Sequence, residues 1–552
     1  MKKKSNFIVQ GSVLAMAGIL SRIIGIARRF PMEHIIGDVG NGYYSVAYEV
    51  YALMLIISCY SLPLAVSKVV SAKVSRKQYK SAQRVFQCAM AFALFAGGVT
   101  FLVVEIFGDV LAADLMKEPM SALALKVLGP ALIIVSVMGV FRGYFQGLGT
   151  MMPTAISQII EQIFVLIASI AGALFLFRQG EKVGALLHNE NYAPAYGAAG
   201  ASLGPVVGSL IGLIFLVFVY ALYRKQNQVM IEKDKTIHTD SYKTIFRMIV
   251  LTILPVLLST TVYNISNVID IRIYNSVMIS KGLDDVRAYN WGVYSGKYKV
   301  LVNVPIALAN AMCSSIVPVL TNLMVQEKYR ESREKASQAM RFTMLIAIPS
   351  AVGLAVLARP IISLLFNGEI DMAVDLLHVG SVSVVFYTMS TLTNGVLQGI
   401  NRMRIPVRNA LIALVIHIAF LYAALQMDFG IRAVVYANIL FAVVVCVLNN
   451  LAMKKYMRYK QEVVKTFATP AIASVIMGIV VFVLYLLLQK GLSSLGTKLS
   501  SAIIVIVGLF IGVVVYFATI ILLKGVNETD LRKMPGGRTV ITIAKKCNLL
   551  RE

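Results

Sequence analysis

The chain has 552 residues, of which 58% are hydrophobic, and its mean hydropathy is +0.77. A soluble protein of this length does not carry that much apolar surface, so the composition excludes that class and indicates a polytopic membrane protein. Lysine and arginine number 52 against 27 acidic residues, a formal net charge of +25. That excess would suit a nucleic-acid-binding protein, but the basic residues lie mostly in alternate loops, as they do in membrane proteins of fixed orientation.

Apolar runs follow one another along the whole chain. A helix needs about twenty apolar residues to cross a bilayer, and runs of about that length occur at about fourteen places. We therefore predict an all-α, polytopic membrane protein with about fourteen transmembrane helices, the first of them retained and not cleaved as a signal peptide. The predicted spans are 7–27, 43–66, 85–107, 123–145, 154–177, 198–222, 246–269, 293–320, 342–362, 376–397, 407–425, 433–451, 467–488 and 502–523.

The loops between the predicted spans alternate in charge. Loops after even-numbered spans are basic, as in 68–84 and 224–247, whereas those after odd-numbered spans hold acidic residues such as Glu118, Asp284 and Asp285. This alternation indicates an even number of helices with both termini in the cytoplasm.

An internal repeat divides the chain. Gly143-Tyr144-Phe145-Gln146-Gly147 at the end of the fourth span recurs as Gly395-Val396-Leu397-Gln398-Gly399 at the end of the tenth, about 250 residues later. Because that distance holds six helices, both copies enter the membrane from the same side, as in parallel-repeat transporters. We predict a first lobe at 1–225, a second lobe at 226–465, two further helices at 466–525 and a cytoplasmic tail at 526–552.

The sequence holds no catalytic constellation. It has no Gly-x-x-x-x-Gly-Lys phosphate loop, no His-Glu-x-x-His and no Cys-x-x-Cys pair among its 5 cysteines. We therefore expect a transporter, not an enzyme, with no cofactor and no metal site. His417 stands alone in the eleventh span, where it is either a proton site or, as we favour, a hydrogen-bonded packing residue.

Ionisable residues within or beside the spans carry the functional signal, because charges at that depth pair with each other or face water. One interpretation is a fixed latch, in which Glu49 or Glu161 neutralises one of the arginines. The other is a cavity with excess positive charge that selects a polyanionic headgroup, since the planar fork of arginine matches phosphate. The candidate substrate-binding residues are Arg22, Arg28, Arg29, Arg272, Lys297 and Lys299, and the candidate charge partners or coupling residues are Glu49, Glu161 and Asp270.

Three motifs near the amino terminus resemble the MOP-superfamily polysaccharide and lipid II flippases, in particular the MurJ and SpoVB-like branch of Gram-positive bacteria. They are Ser21-Arg22-Ile23-Ile24-Gly25, Arg29-Phe30-Pro31 and Ser61-Leu62-Pro63-Leu64-Ala65. The resemblance covers the whole chain and implies two six-helix lobes in a V, with alternating access to a central cationic cavity. It implies a bacterial plasma-membrane protein whose last two helices form a groove for the lipid tail of the cargo.

The family's functional residues carry over only in part. By this resemblance Arg22 matches the Arg of the family's Ser-Arg motif, and Arg28 matches the cavity Arg just after it. Arg29 stands where proteobacterial lipid II flippases have Asp. The family's arginine in the eighth span is replaced here by Lys297 or Lys299. The eleventh span has no acidic residue, which argues against a sodium site like that of some members.

The expected function is therefore a flippase that moves an undecaprenyl-diphosphate-linked sugar, with lipid II for peptidoglycan favoured, from the inner to the outer leaflet. Three alternatives stay open: an exporter of another lipid-linked polysaccharide, a MATE-like drug or cation antiporter, and a non-transporting scaffold for wall synthesis. The expected partners are the lipid-linked oligosaccharide diphosphate, membrane lipids and proteins of cell-wall synthesis, with no nucleic acid.

Overall fold

The computed structural model describes residues 7–59, 61–234, 236, 239–368, 370–492, 495–523 and 525. The described residues form α-helices joined by short π- and 3-10 segments, with no strand among them, which confirms the predicted all-α fold. The helices are α1 (Phe7–Ser58), α2 (Leu62–Ser75), α3 (Tyr79–Val110), α4 (Ala122–Gly147), α5 (Met152–Leu187), α6 (Tyr192–Glu232), α7 (Tyr242–Ser280), α8 (Asp284–Val293), α9 (Lys299–Val325), α10 (Tyr329–Val356), α11 (Ala358–Leu365), α12 (Asp371–Gly380), α13 (Ser383–Gly399), α14 (Arg404–Gln426), α15 (Ile431–Met457), α16 (Thr469–Gly491) and α17 (Thr497–Leu522).

Many of these helices are long and apolar enough to cross a bilayer. Within the described residues there are 10 such helical stretches, or 11 if α12 and α13, which are bent by 48° relative to each other, form one span. The first of them, Met16–Ser75, contains the predicted span 43–66 and residues 16–27 of the predicted first span. A helix lies at every predicted span, so the chain is a multi-pass membrane protein. The predicted cytoplasmic tail at 526–552 lies outside the described residues.

The gap predicted between the first two spans is helical instead. Helix α1 runs through Pro31 to Ser58, and its backbone leaves helical geometry at Gly37, where φ is 66° and ψ is −174°. Glycine adopts this left-handed φ without the steric cost that a side chain brings. The continuous helix was not predicted because Arg28 and Arg29 end the apolar run in the sequence. Charged side chains do not interrupt the backbone hydrogen bonds, so the helix continues past them.

The chain forms two compact units, Met1–Gly296 and Lys297–Glu552, called here the first and second units. In the first unit, the centroid of the Phe86 ring lies 4.8 Å from that of Tyr144 and 5.0 Å from that of Tyr220, in a core built from α2, α3, α4, α6 and α7. Helices α5 and α6 pack so closely that a Cβ on Gly172 would collide with the Gly200 carbonyl, as expected where small residues line a membrane-helix contact.

The described residues of the second unit include the following two apolar cores. One joins α9, α10, α13 and α15 around Leu320, Met340 and Val396. The other joins α10, α16 and α17, where the Tyr516 hydroxyl donates to the Leu345 carbonyl at 2.8 Å. The lobe boundary that the repeat places at 225/226 stays a prediction.

Candidate functional site

Arg28 on α1 is a buried cation with an unused donor. Its side chain is only 8% exposed, and Nη1 donates to the Ser169 hydroxyl of α5 at 2.9 Å and to the Tyr44 hydroxyl at 3.3 Å. Its Nε is buried and has no hydrogen-bond partner among the described residues. Leaving a buried donor unsatisfied costs about 1–3 kcal/mol, so this N–H is suited to an acceptor that arrives with a ligand.

The Tyr44 ring joins Arg28 to its neighbour Arg29. The guanidinium carbons of the two arginines lie 5.9 Å and 5.8 Å from the Tyr44 ring centroid. The π-face attracts both cations and reduces the cost of placing like charges side by side. Tyr44 stacks in turn on Tyr48 at 5.8 Å between ring centroids, and Tyr48 lies 5.7 Å from Tyr51. The helical spacing of these three tyrosines was the signal that could have identified them.

The other predicted residues of α1 are more exposed than Arg28. Arg22 is exposed, and Glu49 is half-buried, with a charge that acts on Arg29. The cluster of Arg28, Arg29 and Tyr44, which we call the arginine–tyrosine cluster, therefore brings together two cations that precede the Gly37 break and a phenol that follows it. It can donate several hydrogen bonds to an anion.

Glu161 is paired with a residue that the sequence analysis did not single out. Its Oε2 accepts from Nη2 of Arg142 at 2.7 Å, and Nε of Arg142 donates to Ser157 Oγ at 3.0 Å. The side chains of Arg142 and Glu161 are 14% and 16% exposed, so this is a largely buried ion pair between α4 and α5. Its presence supports the latch interpretation for Glu161, with Arg142 as the partner.

Arg272 and its neighbours hold the loop between α3 and α4. Nη1 of Arg272 donates to the carbonyls of Asp114 and Leu115, each at 2.8 Å, and Nδ2 of Asn275 donates to the Met116 carbonyl at 2.7 Å. The structure therefore places Arg272 against a loop at the end of α3. The nearby Asp270 is 2% exposed. A role for either residue in substrate binding or coupling stays a prediction.

The two predicted lysines belong to the second unit. Lys297 is fully buried, and its Nζ donates to the Asn367 carbonyl at 2.9 Å. It lies in a π-helical turn, Tyr294–Tyr298, a feature that is frequent at functional sites. Lys299 is half-buried at the start of α9. Lys297 is thus closed to solvent in this conformation, and substrate binding by either lysine stays a prediction.

His417 is also fully buried. Its Nδ1 lies 2.8 Å from the Ala437 carbonyl oxygen, and its ring meets the Phe441 ring edge to face at 5.9 Å. This environment supports the packing role that the sequence analysis favoured over a proton site.

Comparison with known proteins gives matches along the whole chain. The model of a family described as polysaccharide biosynthesis protein matches residues 9–324, and that of a family described as MatE matches residues 300–423. The chain is similar to the lipid II flippase MurJ of Bacillus subtilis (strain 168), with 25% identity over 96% of this chain and 98% of the relative. It is also similar to stage V sporulation protein B of that organism, with 24% identity over 98% and 99% of the two chains.

Solved structures show the same fold. A structure of the lipid II flippase MurJ in an inward closed conformation has a TM-score of 0.65 and 15% identity, and the match covers 92% of this chain and 97% of that one. An inward-facing multidrug resistance MATE transporter of the MOP superfamily has a TM-score of 0.58 and 16% identity, with 82% and 100% covered.

Proposed function

The chain belongs to the polysaccharide biosynthesis protein family of the MOP superfamily, and on that premise we propose that it is a flippase for a lipid-linked sugar diphosphate. Lipid II is the favoured cargo because MurJ of Bacillus subtilis is similar over nearly the whole chain. The similarity to stage V sporulation protein B keeps other lipid-linked glycans as alternatives.

The observation that carries the proposal is the unsatisfied Nε of Arg28 within the arginine–tyrosine cluster. Diphosphate oxygens are strong acceptors, and a guanidinium can offer them two parallel N–H groups at once. Arg29 supplies a second cation on the same Tyr44 ring. Binding a diphosphate there would satisfy the buried donor and compensate both charges.

Transport follows from charge and topology. We place both termini in the cytoplasm, so the headgroup binds from the inner leaflet and leaves outward by alternating access while its lipid tail stays in the bilayer. An inside-negative potential favours outward movement of an anion by about 2.3 kcal/mol per charge per 100 mV. The same field draws the empty cationic carrier back, so the cycle needs no nucleotide.

A MATE-like antiporter is the second candidate, because the MatE model matches residues 300–423. A transporter of organic cations requires carboxylates at its binding site. The arginine–tyrosine cluster has the opposite sign, which favours the flippase. A drug-sensitive host that gained resistance on expression of this protein would favour the antiporter.

The decisive experiment measures flipping of purified lipid II in liposomes that contain only this protein. Arg28→Ala should slow flipping about tenfold to a hundredfold, as expected from the free energy of one charge-assisted hydrogen bond. Arg28→Lys should recover part of the rate, because lysine restores the positive charge but not the paired N–H donors of the guanidinium. Arg178→Ala, which removes an exposed arginine from α5, is the matched control and should flip normally. Wild-type flipping by Arg28→Ala would refute the proposed site.

A further inference from the structure

A cleft of about 290 Å³ opens at one end of the second unit, outside the arginine–tyrosine cluster. It lies where α9, α10 and α15 meet, beside loops that the charge alternation assigns to the cytoplasm. Its lining residues are Met324, Tyr329, Arg333, Tyr456, Met457 and Arg458. We call it the α10–α15 cleft.

Arginines and aromatic rings dominate the walls of the cleft. Nη1 of Arg333 donates to the Met457 carbonyl at 3.3 Å, which leaves the rest of its fork for other acceptors. Arg458 ends α15 in the left-handed conformation, with φ 52°, and is exposed. The guanidinium of Arg402 lies 4.7 Å from the centroid of the Tyr456 ring, which extends the basic surface past the rim.

Two carboxylates of α10 near the cleft are paired with other cations of α10 and its preceding turn. Glu331 lies 3.5 Å from Nζ of Lys328, and Glu334 accepts from Nε of Arg330 at 3.1 Å. Among the six described residues that line the cleft there is no carboxylate. The cleft therefore presents positive charge to whatever enters it.

The first unit contains an equivalent corner, identified by its turn. Lys77 and Glu327 both have a φ of 59°, and each stands two residues before the tyrosine that begins the next helix, Tyr79 or Tyr329. The amides of Gln78 and Lys328 donate to carbonyls five residues back in the two copies. The two turns therefore correspond residue by residue at a spacing of 250 positions, and Gln83 of α3 corresponds to Arg333 of α10.

In the first unit, acidic residues of the segment between α6 and α7 occupy this corner. Asp240 forms an ion pair with Lys73, and its carbonyl accepts from Nη1 of Arg84 at 2.9 Å. Oδ2 of Asp234 accepts from the Lys80 amide at 2.8 Å. Burial opposes the ionisation of Asp234, but hydrogen bonds from Thr236 and Lys80 prevail and lower its pKa. An anion thus fills the first copy of the corner, whereas the lining of the second copy is cationic.

We propose that the α10–α15 cleft binds the phosphate headgroup of an anionic phospholipid of the surrounding leaflet. Basic pockets between transmembrane helices on the cytoplasmic side bind such headgroups. A lipid is favoured over free phosphate because the helices that form the cleft carry exposed apolar residues: Val325, next to Met324 on α9, is 78% exposed, and Leu451, five residues before Tyr456 on α15, is 58% exposed. The acyl chains lie along these residues, and the half-exposed rings of Tyr329 and Tyr456 stand at headgroup level.

The test compares lipids by the thermal midpoint of the full-length protein in detergent, titrated with phosphatidylglycerol, phosphatidylcholine or inorganic phosphate. Phosphatidylglycerol should raise the midpoint, and Arg333→Gln should weaken its apparent affinity about tenfold or more, as expected for a lost charge-assisted contact. Arg330→Gln removes the same charge from an exposed site on the same helix, so it should behave like the wild type.

Three outcomes would overturn the proposal. They are equal effects of phosphatidylglycerol and phosphatidylcholine, equal losses in Arg333→Gln and Arg330→Gln, and full replacement of the lipid effect by inorganic phosphate. If Arg333→Gln does not fold, Arg402→Gln removes a cation at the rim that contacts the Tyr456 ring and should weaken phosphatidylglycerol binding in the same direction. Flipping of lipid II is a separate measurement, so failure here leaves the proposed function intact.

Discussion

Raising the pH should release the loop between α3 and α4 through Glu118. Its carboxylate accepts from Nη2 of Arg287 at 3.3 Å, and Arg287 also donates to the Lys117 carbonyl and to Asp284 at 3.0 Å. Burial, aided by the charge of Asp284, raises the pKa of Glu118 from 4.5 to about 7, while Arg287 opposes the shift. The docked loop therefore binds a proton more tightly than the released loop does.

The sign and size of the effect follow from linkage. A raised carboxyl pKa stabilises the docked loop fully below about pH 4.5, and that stabilisation is lost as the pH rises to about 7. If the released loop titrates normally, its opening constant should increase roughly 70-fold between about pH 5 and about pH 8, or about 2.5 kcal/mol. Amide hydrogen exchange of residues 111–121, corrected for the intrinsic pH dependence of exchange, measures this constant.

Glu118→Gln is the control, because it keeps the shape of the side chain and removes its titration. Its opening constant should stay flat over the same pH range. An identical pH profile in the wild type and in Glu118→Gln would refute the assignment of the effect to this carboxyl.

Three further predictions address packing and buried charge. Gly292→Ala should lower the thermal midpoint by roughly 3 °C or more, because a Cβ at this position collides with the main chain of α1. Gly98 has open space around it, so the control variant Gly98→Ala should not lower the midpoint. Equal shifts in the two variants would contradict the close packing at Gly292. Arg142→Ala should cost about 3 kcal/mol of stability, because it leaves the largely buried Glu161 without its partner. The apolar double replacement Arg142→Met, Glu161→Leu should cost less. Chemical denaturation compares the two variants, and an equal loss of stability would count against a buried ion pair. His417→Asn should lower the thermal midpoint and leave the pH profile of flipping unchanged; a shifted profile would restore the proton-site interpretation.

The helices were predicted well from the sequence, because backbone N–H and C=O groups without hydrogen-bond partners are costly in hydrocarbon. An apolar run that crosses the bilayer therefore has few conformations other than a helix. Helix ends were predicted less well, since Arg28 and Arg29 end an apolar run while α1 continues through them. Bending of the chain was also missed: the span predicted at 376–397 is divided between α12 and α13.

The candidate site was predicted in part. Intramembrane arginines stand out in a sequence, and Arg28 is indeed buried among polar partners. Its partner Ser169 lies 141 residues away on α5, and no local pattern connects the two. The partner of Glu161 and the burial of Lys297 likewise depend on tertiary packing, which periodicity does not encode.

The loop between α3 and α4 is held largely through its carbonyls, by Arg272, Asn275 and Arg287. A carbonyl is the same in every residue, so most side chains of this loop are free to diverge without loosening its attachment. Saturation mutagenesis should accordingly find that most positions of the loop tolerate substitution, with Glu118 as the exception. The three donors, Arg272, Asn275 and Arg287, should not tolerate it. Substitutions in this loop can thus alter the surface that it presents to its surroundings while its carbonyls keep the same hydrogen bonds.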